Sequence, residues 1–126
     1  MKYAYILIFI IISCTYGFSN DFNTTIDNNI STDKINTCLA IAQKNLKYCT
    51  LIKDHDNKSS CFGIVKKNTG YCSMIKDSDI KNECLAIALS DITNCNKIKN
   101  KISKDNCITL YGKINKDLYI PEECNH

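Results

Sequence analysis

The chain contains no arginine or tryptophan and little glycine, proline or histidine. All sixteen basic residues are lysine, and isoleucine and asparagine are also abundant, a bias typical of an AT-rich genome. Lysine abundance is therefore weak support for nucleic-acid binding, and the net charge is only +3. The lysine-rich stretch 96–104 could face an anionic surface, but a solvated helix-and-loop surface explains it better. We expect no nucleic-acid partner.

Motifs for metal, cofactor or catalytic chemistry are also missing from the sequence. It has no C-x-x-C pair, which many zinc, redox and haem sites use. The four glycines are scattered and form no phosphate-binding loop. A cysteine nucleophile needs a nearby base, but His55, between Asp54 and Asp56, is better explained as a solvated loop residue. We therefore predict no cofactor, no metal site and no catalytic residue, and do not expect an enzyme.

A single strongly apolar run lies near the N-terminus, where residues 3–12 follow Lys2. Its ten residues are too few for a membrane-spanning helix, which needs about 20, so it fits the apolar region of a signal peptide. The run ends in Ile11-Ile12-Ser13-Cys14, which resembles the lipobox of bacterial lipoproteins. That resemblance implies lipidation of the Cys14 thiol, cleavage before Cys14 and acylation of the new N-terminus.

Two other interpretations of the N-terminus stay open. Gly17 and Ser19 are small residues spaced as in a secretory cleavage site, with a cut after Ser19. The apolar run could also remain as an uncleaved anchor. We favour the lipoprotein, which places the protein in the cell envelope, lipid-anchored and facing outside the cytoplasm. Its expected partners are the membrane and an unknown protein.

The predicted organisation is a signal peptide at 1–13, a flexible polar tether at 14–32 and a cysteine-repeat domain at 33–126. The tether is rich in asparagine and threonine and lacks helical periodicity. Nine cysteines in a short exported chain indicate a disulfide scaffold. Without Cys14 they form an even set, which can pair completely. The predicted disulfide residues are Cys38, Cys49, Cys61, Cys72, Cys84, Cys95, Cys107 and Cys124.

The cysteines define a 23-residue repeat, because their intervals from Cys38 are 11, 12, 11, 12, 11, 12 and then 17. Ile52, Ile75 and Ile98 follow the same period. Such repeats usually form stacked supersecondary units. One continuous helix would scatter the cysteines around its surface, since each residue turns by about 100°. We therefore predict an all-α array of short antiparallel helices, stapled by disulfides.

Each unit is predicted to contain a longer and a shorter helix, at about 34–44 and 46–53 in the first unit. The predicted N-caps of the longer helices are Asp33, Asp56 and Asp79, and those of the shorter helices are Asn45, Asn68 and Asp91. In the third unit an apolar helical face is predicted from Cys84, Leu85, Ala88, Leu89 and Ile92.

Two disulfide schemes agree with the repeat. Pairing across the shorter interval gives 38–49, 61–72, 84–95 and 107–124. Pairing across the longer interval gives 49–61, 72–84 and 95–107, and leaves Cys38 and Cys124 to meet from opposite ends. We favour the first scheme, because a linear stack would keep its ends apart.

The expected function is that of an exported, lipid-anchored protein whose helical array is a binding or interaction module. Stacked helical units present extended surfaces suited to that role. The alternative is a soluble secreted effector, toxin-like protein or inhibitor, because small disulfide-dense scaffolds resist proteases.

Overall fold

A computed structural model describes residues 21–119 and 121–125, with side chains described for 32–119 and 121–124, and this part of the chain is all-α. Long and short helices alternate, as the repeat predicts. The elements are α1 (Asp21–Gln43), α2 (Leu46–Thr50), α3 (His55–Lys66), α4 (Thr69–Ser73), α5 (Ser78–Ala88), α6 (Thr93–Asn96), α7 (Lys101–Asn115) and a C-terminal 3-10 helix (Pro121–Asn125). Within these residues, no helix has the length and apolar character needed to cross a membrane.

Helix α1 starts earlier than the sequence suggested. It runs without a break from Asp21 to Gln43, so its backbone covers residues 21–32 of the segment expected to be a flexible tether. The segment predicted to be a signal peptide, Cys14 and the alternative cleavage site predicted after Ser19 lie outside the described residues.

The turn from a long to a short helix repeats with the same hydrogen bonds. Lys44, Lys67 and Ser90 adopt left-handed backbone conformations with φ of 51°, 50° and 55°. The N–H of each following residue then bonds to the carbonyl five residues earlier, as from Asn45 to Ala40 at 3.0 Å. The short-helix caps are confirmed at two positions, where side chains accept backbone N–H bonds at 3.0 and 2.9 Å, namely at Asn45 and Asn68. The third predicted cap is wrong, because the residue that precedes α6 is Ile92; Asp91, one residue earlier, still accepts the backbone N–H of Thr93 at 3.0 Å.

The predicted N-caps of the long helices are wrong. The residues that cap α3, α5 and α7 are Asp54, Asp77 and Asn100. Asp33 lies within α1, and Asp56 and Asp79 are the second residues of α3 and α5. A cap two residues upstream already satisfies N–H groups of the first turn beside Asp56 and Asp79, and Asp33 lies well inside its helix. The three carboxylates are therefore left for another partner.

That partner is the loop before the next long helix. Asp33 accepts the backbone N–H groups of Lys53 and Asp54, both at 3.0 Å. Two further carboxylates accept N–H bonds at 2.9–3.1 Å from residues 20 and 21 positions later, namely Asp56 and Asp79. These backbone hydrogen bonds hold the pKa of Asp56 and Asp79 below its ordinary value. Each acid therefore fixes the start of the next unit, and we call the three of them the aspartate ladder.

The favoured disulfide scheme is also wrong, since all eight cysteines pair in the second scheme. The bonds are Cys49–Cys61, Cys72–Cys84, Cys95–Cys107 and Cys38–Cys124. The first three join the short helix of one unit to the long helix of the next. The array is not linear, because the C-terminal 3-10 helix packs against α1. Helices α3, α5 and α7 are each bonded to the short helix that precedes them. The 3-10 helix that carries Cys124 occupies the corresponding position next to α1.

The core follows the repeat. Helix α1 packs on α3, α3 on α5 and α5 on α7. Ile41, Ile64 and Ile87 occupy one repeat position and form a single cluster, with Leu110 packed against it. The repeated isoleucines at a second position are also buried, namely Ile52, Ile75 and Ile98.

The apolar face predicted for the third unit is partly wrong. Cys84 is buried, whereas Leu89 and Ile92 are 55% and 40% exposed. The reason is that α5 ends at Ala88 and the chain turns at Ser90. Ile87 takes the inward position instead and belongs to the main cluster.

Candidate binding groove

One stripe of side chains on each of the four long helices faces the space between them. The stripe ends in an apolar residue in every helix, and its first two positions are polar in α1, α3 and α7, whereas in α5 it begins with Ile80. Its positions are spaced i, i+3 and i+7, which places them on one helical face. The stripe reads Lys34, Thr37, Ile41 in α1; Asn57, Ser60, Ile64 in α3; Ile80, Glu83, Ile87 in α5; and Ser103, Asn106, Leu110 in α7. The third positions fill the core. The first two leave a depression between the helices, which we call the central groove.

The central groove contains two adjoining cavities. The larger, of about 640 Å³, is lined mainly by α1 and α7, with Glu83 and Tyr119 at its sides. The smaller, of about 400 Å³, is lined mainly by α3, α5 and the start of α7. Four residues border both cavities, namely Thr37, Asn57, Glu83 and Ser103. Cavities of this size accommodate a small molecule or a protruding side chain.

Glu83 lies between the two cavities and is partly buried. Burial raises the pKa of its carboxyl to about 7, and no positive charge acts against this effect. Within the described part of the chain, the carboxyl takes part in no hydrogen bond or ion pair. Glu83 is therefore an uncommitted acid, by which we mean a carboxyl group without a hydrogen-bond or ion-pair partner, and it is about half protonated at neutral pH.

The lysines at the edge of the groove do not neutralise Glu83. Lys34 is exposed. The ammonium of Lys113 is bound to the carboxylate of Glu123. That ion pair attaches α7 to the C-terminal 3-10 helix, next to Tyr119. Burial, together with the charges of Glu123 and Glu83, raises the pKa of the Tyr119 hydroxyl.

The walls of the groove are held by disulfides. Cys38 borders the larger cavity and bonds to Cys124, so the C-terminal segment is attached to α1. The other three bonds join each of α3, α5 and α7 to the short helix that precedes it. Four disulfides in so small a domain indicate an oxidising environment outside the cytoplasm.

The other residues singled out from the sequence do not form a reactive site. His55 is exposed, and its Nδ1 lies 3.4 Å from Oδ1 of Asp56. All eight cysteines of the described region are disulfide-bonded, which leaves no thiol there for His55 to activate. Among the described residues, no group of three or more His, Cys, Asp or Glu side chains is placed to hold a metal ion.

Glu83 is not among the residues singled out from the sequence. Its repeat position is polar in every unit, as Thr37, Ser60, Glu83 and Asn106 show. That regularity was visible, but a polar position in a helical repeat is usually on the solvent side. Only the packing of the long helices reveals that this position faces the groove.

Comparison with known proteins adds no assignment at the level of family or fold. No protein-family model, no curated protein and no solved structure matches the chain.

Proposed function

We propose that this chain is an exported cell-envelope protein, anchored by a lipid on Cys14, whose helical array binds a ligand in the central groove. The observation that carries the proposal is the uncommitted carboxyl of Glu83, which lies between two cavities in a groove whose walls are held by disulfides. A carboxyl that is largely removed from water and has no partner in the protein costs stability. A ligand that provides the missing partner would offset that cost.

A binding role fits the groove better than catalysis. The groove offers one uncommitted acid, with hydroxyl and amide side chains around it, and no cysteine nucleophile is available in the described region. Disulfides that hold the helices in place lower the ordering cost of binding. We therefore propose a non-catalytic binding module.

The proposed anchor would keep this module close to the membrane. Six residues separate Cys14 from Asp21, the first residue of α1. Six residues extend at most about 22 Å. The helical backbone from Asp21 to the first groove residues adds about 18 Å, at 1.5 Å per residue. The groove would therefore lie within about 40 Å of the bilayer surface.

The anchor is tested by the intact mass of the mature protein from its native host. We expect the mass of a chain that starts at Cys14 and carries lipid, and we expect it in the membrane fraction. The Cys14→Ser variant should lose both properties. A lipid-free mass starting at Asn20, found in the medium, would instead support the secreted alternative and overturn the anchor.

Binding in the groove is tested by photo-cross-linking in the native host. One photoreactive residue replaces Asn106, which is exposed and lines the larger cavity. In the control it replaces Ser73, which is exposed on α4 away from the groove. We expect a discrete adduct at position 106 and none at position 73. Equal labelling at both positions, or none at 106, would argue against a ligand in the groove.

A further inference from the structure

The smaller cavity of the central groove has an acidic wall. Asp77, Asp79 and Glu83 line it, together with hydroxyl and amide side chains and Ile80, and no lysine or histidine of the described chain lines it. Two of the three acids are already occupied. Asp77 caps α5 through the N–H groups of Asp79 and Ile80, and Asp79 accepts the N–H groups of Lys99 and Asn100. Glu83 alone has no partner.

The chemistry of this wall selects a cation. An anion would be repelled by the carboxylates of Asp77 and Asp79, and by Glu83 when it is ionised, and the described residues include no cluster suited to a metal ion. An ammonium group has three N–H donors and no acceptor. Glu83 can accept one bond, while the hydroxyls of Thr37 and Ser60 and the amide of Asn57, which line the same cavity, offer further oxygens.

The size and lining of the groove favour an ammonium on an alkyl chain. The cavity volume of about 400 Å³ suits a short chain. Ile80 lies within it, and Ile41 and Leu110 line the adjoining cavity. An alkyl chain could therefore pack on apolar side chains while its charged end reaches Glu83, the arrangement that long cationic side chains favour.

From this geometry we infer that the smaller cavity is a binding site for a primary alkylammonium group, with Glu83 as its anionic partner. This inference rests on the proposed role of the central groove as a ligand site. Free amines and the lysine side chains of peptides both carry the group, and their binding can be compared.

The site should be sensitive to pH, because only the ionised carboxylate attracts the cation. The charged and titratable groups that border the groove around Glu83 are Asp33, Lys34, Asp77, Asp79, Lys113 and Tyr119; the lining residues of α3, Asn57 and Ser60, carry no charge. The lysines border only the larger cavity. Affinity should therefore be nearly constant between about pH 8 and 9.5, fall towards tenfold per pH unit well below pH 7, and fall again above about pH 10, where the amine itself loses its proton.

Isothermal titration calorimetry on the mature protein, with its disulfides intact and at about 0.15 M salt to screen non-specific attraction, tests the inference. The probes are pentylamine, Nα-acetyl-lysine amide and 1-pentanol. We expect saturable binding of at least one amine and none of the neutral alcohol. Glu83→Gln, which keeps the side-chain shape, should weaken amine binding at least tenfold. Glu122→Gln, which removes one exposed carboxylate outside the groove, should leave it unchanged.

The outcomes separate the sources of the ammonium. Tighter binding of acetyl-lysine amide identifies a peptide lysine, and tighter binding of pentylamine identifies a free amine. Failure of both amines to bind, equal binding of pentanol, or an equal effect of the two variants would overturn the inference. A groove-specific cross-link at position 106 would still stand in that case, so the ammonium site can fail while the proposed function holds.

Discussion

Cys38 in α1 is bonded to Cys124, 86 residues later, and this bond joins the first long helix to the last turn of the chain. The other three disulfides connect neighbouring units, each over 12 residues. The repeat is therefore closed on itself, and the two ends of the array form one side of the central groove.

This closing bond should contribute the most to stability. In the chain-entropy account an 86-residue loop is worth about 4–5 kcal/mol and a 12-residue loop about 3 kcal/mol. We expect the double variant Cys38→Ser/Cys124→Ser to lose more stability than Cys49→Ser/Cys61→Ser. Urea unfolding of both checks this, and the reverse order would contradict the closed array.

The closing disulfide should also be the first to be reduced. Cys38 is partly exposed, whereas the six cysteines of the other three bonds are fully buried. Limited reduction, followed by alkylation and peptide mass mapping, should label Cys38 and Cys124 while the other bonds persist. Simultaneous labelling of all eight thiols would mean that the array opens cooperatively.

Glu83 should make the protein less stable as the pH rises. Its pKa is raised from an ordinary value of 4.5 to about 7, so the folded state holds the proton more tightly than the unfolded chain. The stability from this group is therefore fully present below about pH 4.5 and is lost as the pH rises through 7, by up to about 3 kcal/mol. Thermal unfolding between pH 5 and 8 should show a falling Tm in the wild type. Glu83→Gln should flatten that dependence, and an unchanged slope would show that Glu83 is not its source.

The aspartate ladder should contribute to stability through Asp33, which is buried and accepts two backbone N–H groups. Asp33→Ala leaves both donors without their acceptor and should cost about 1–3 kcal/mol. Asp33→Asn retains one acceptor oxygen and should cost less. Chemical denaturation measures both. Equal effects of the two variants would show that packing, and not the pair of hydrogen bonds, sets the cost.

Gly63 should not tolerate alanine. A Cβ added there would lie 2.5 Å from the Sγ atom of Cys84 and 2.9 Å from that of Cys72. Alanine normally stabilises a helix relative to glycine by about 1 kcal/mol, but here the disulfide has to move. Gly112 in α7 is the matched control, because a Cβ there meets nothing within 4 Å. Gly112→Ala should raise Tm and Gly63→Ala should lower it, whereas a rise in both would show that the disulfide shifts at little cost.

The sequence by itself determined much of the local structure, although it misplaced the caps of the long helices. Helix alternation, the 23-residue period and the caps at Asn45 and Asn68 were all readable from it, because caps and helical periodicity depend on residues a few positions apart.

Tertiary structure alone decided the contacts between units. Asp33 is a residue type that often caps helices, yet its carboxylate accepts a backbone N–H from the loop 20 residues later. Cys38 could pair with Cys49 or Cys124 by parity, and the return of the C-terminal helix to α1 selected Cys124. Glu83 lies at a groove because residues from all four long helices line the two cavities beside it. These outcomes depend on how the helices pack, and a spacing within one chain does not specify the direction in which a stack of helices curves.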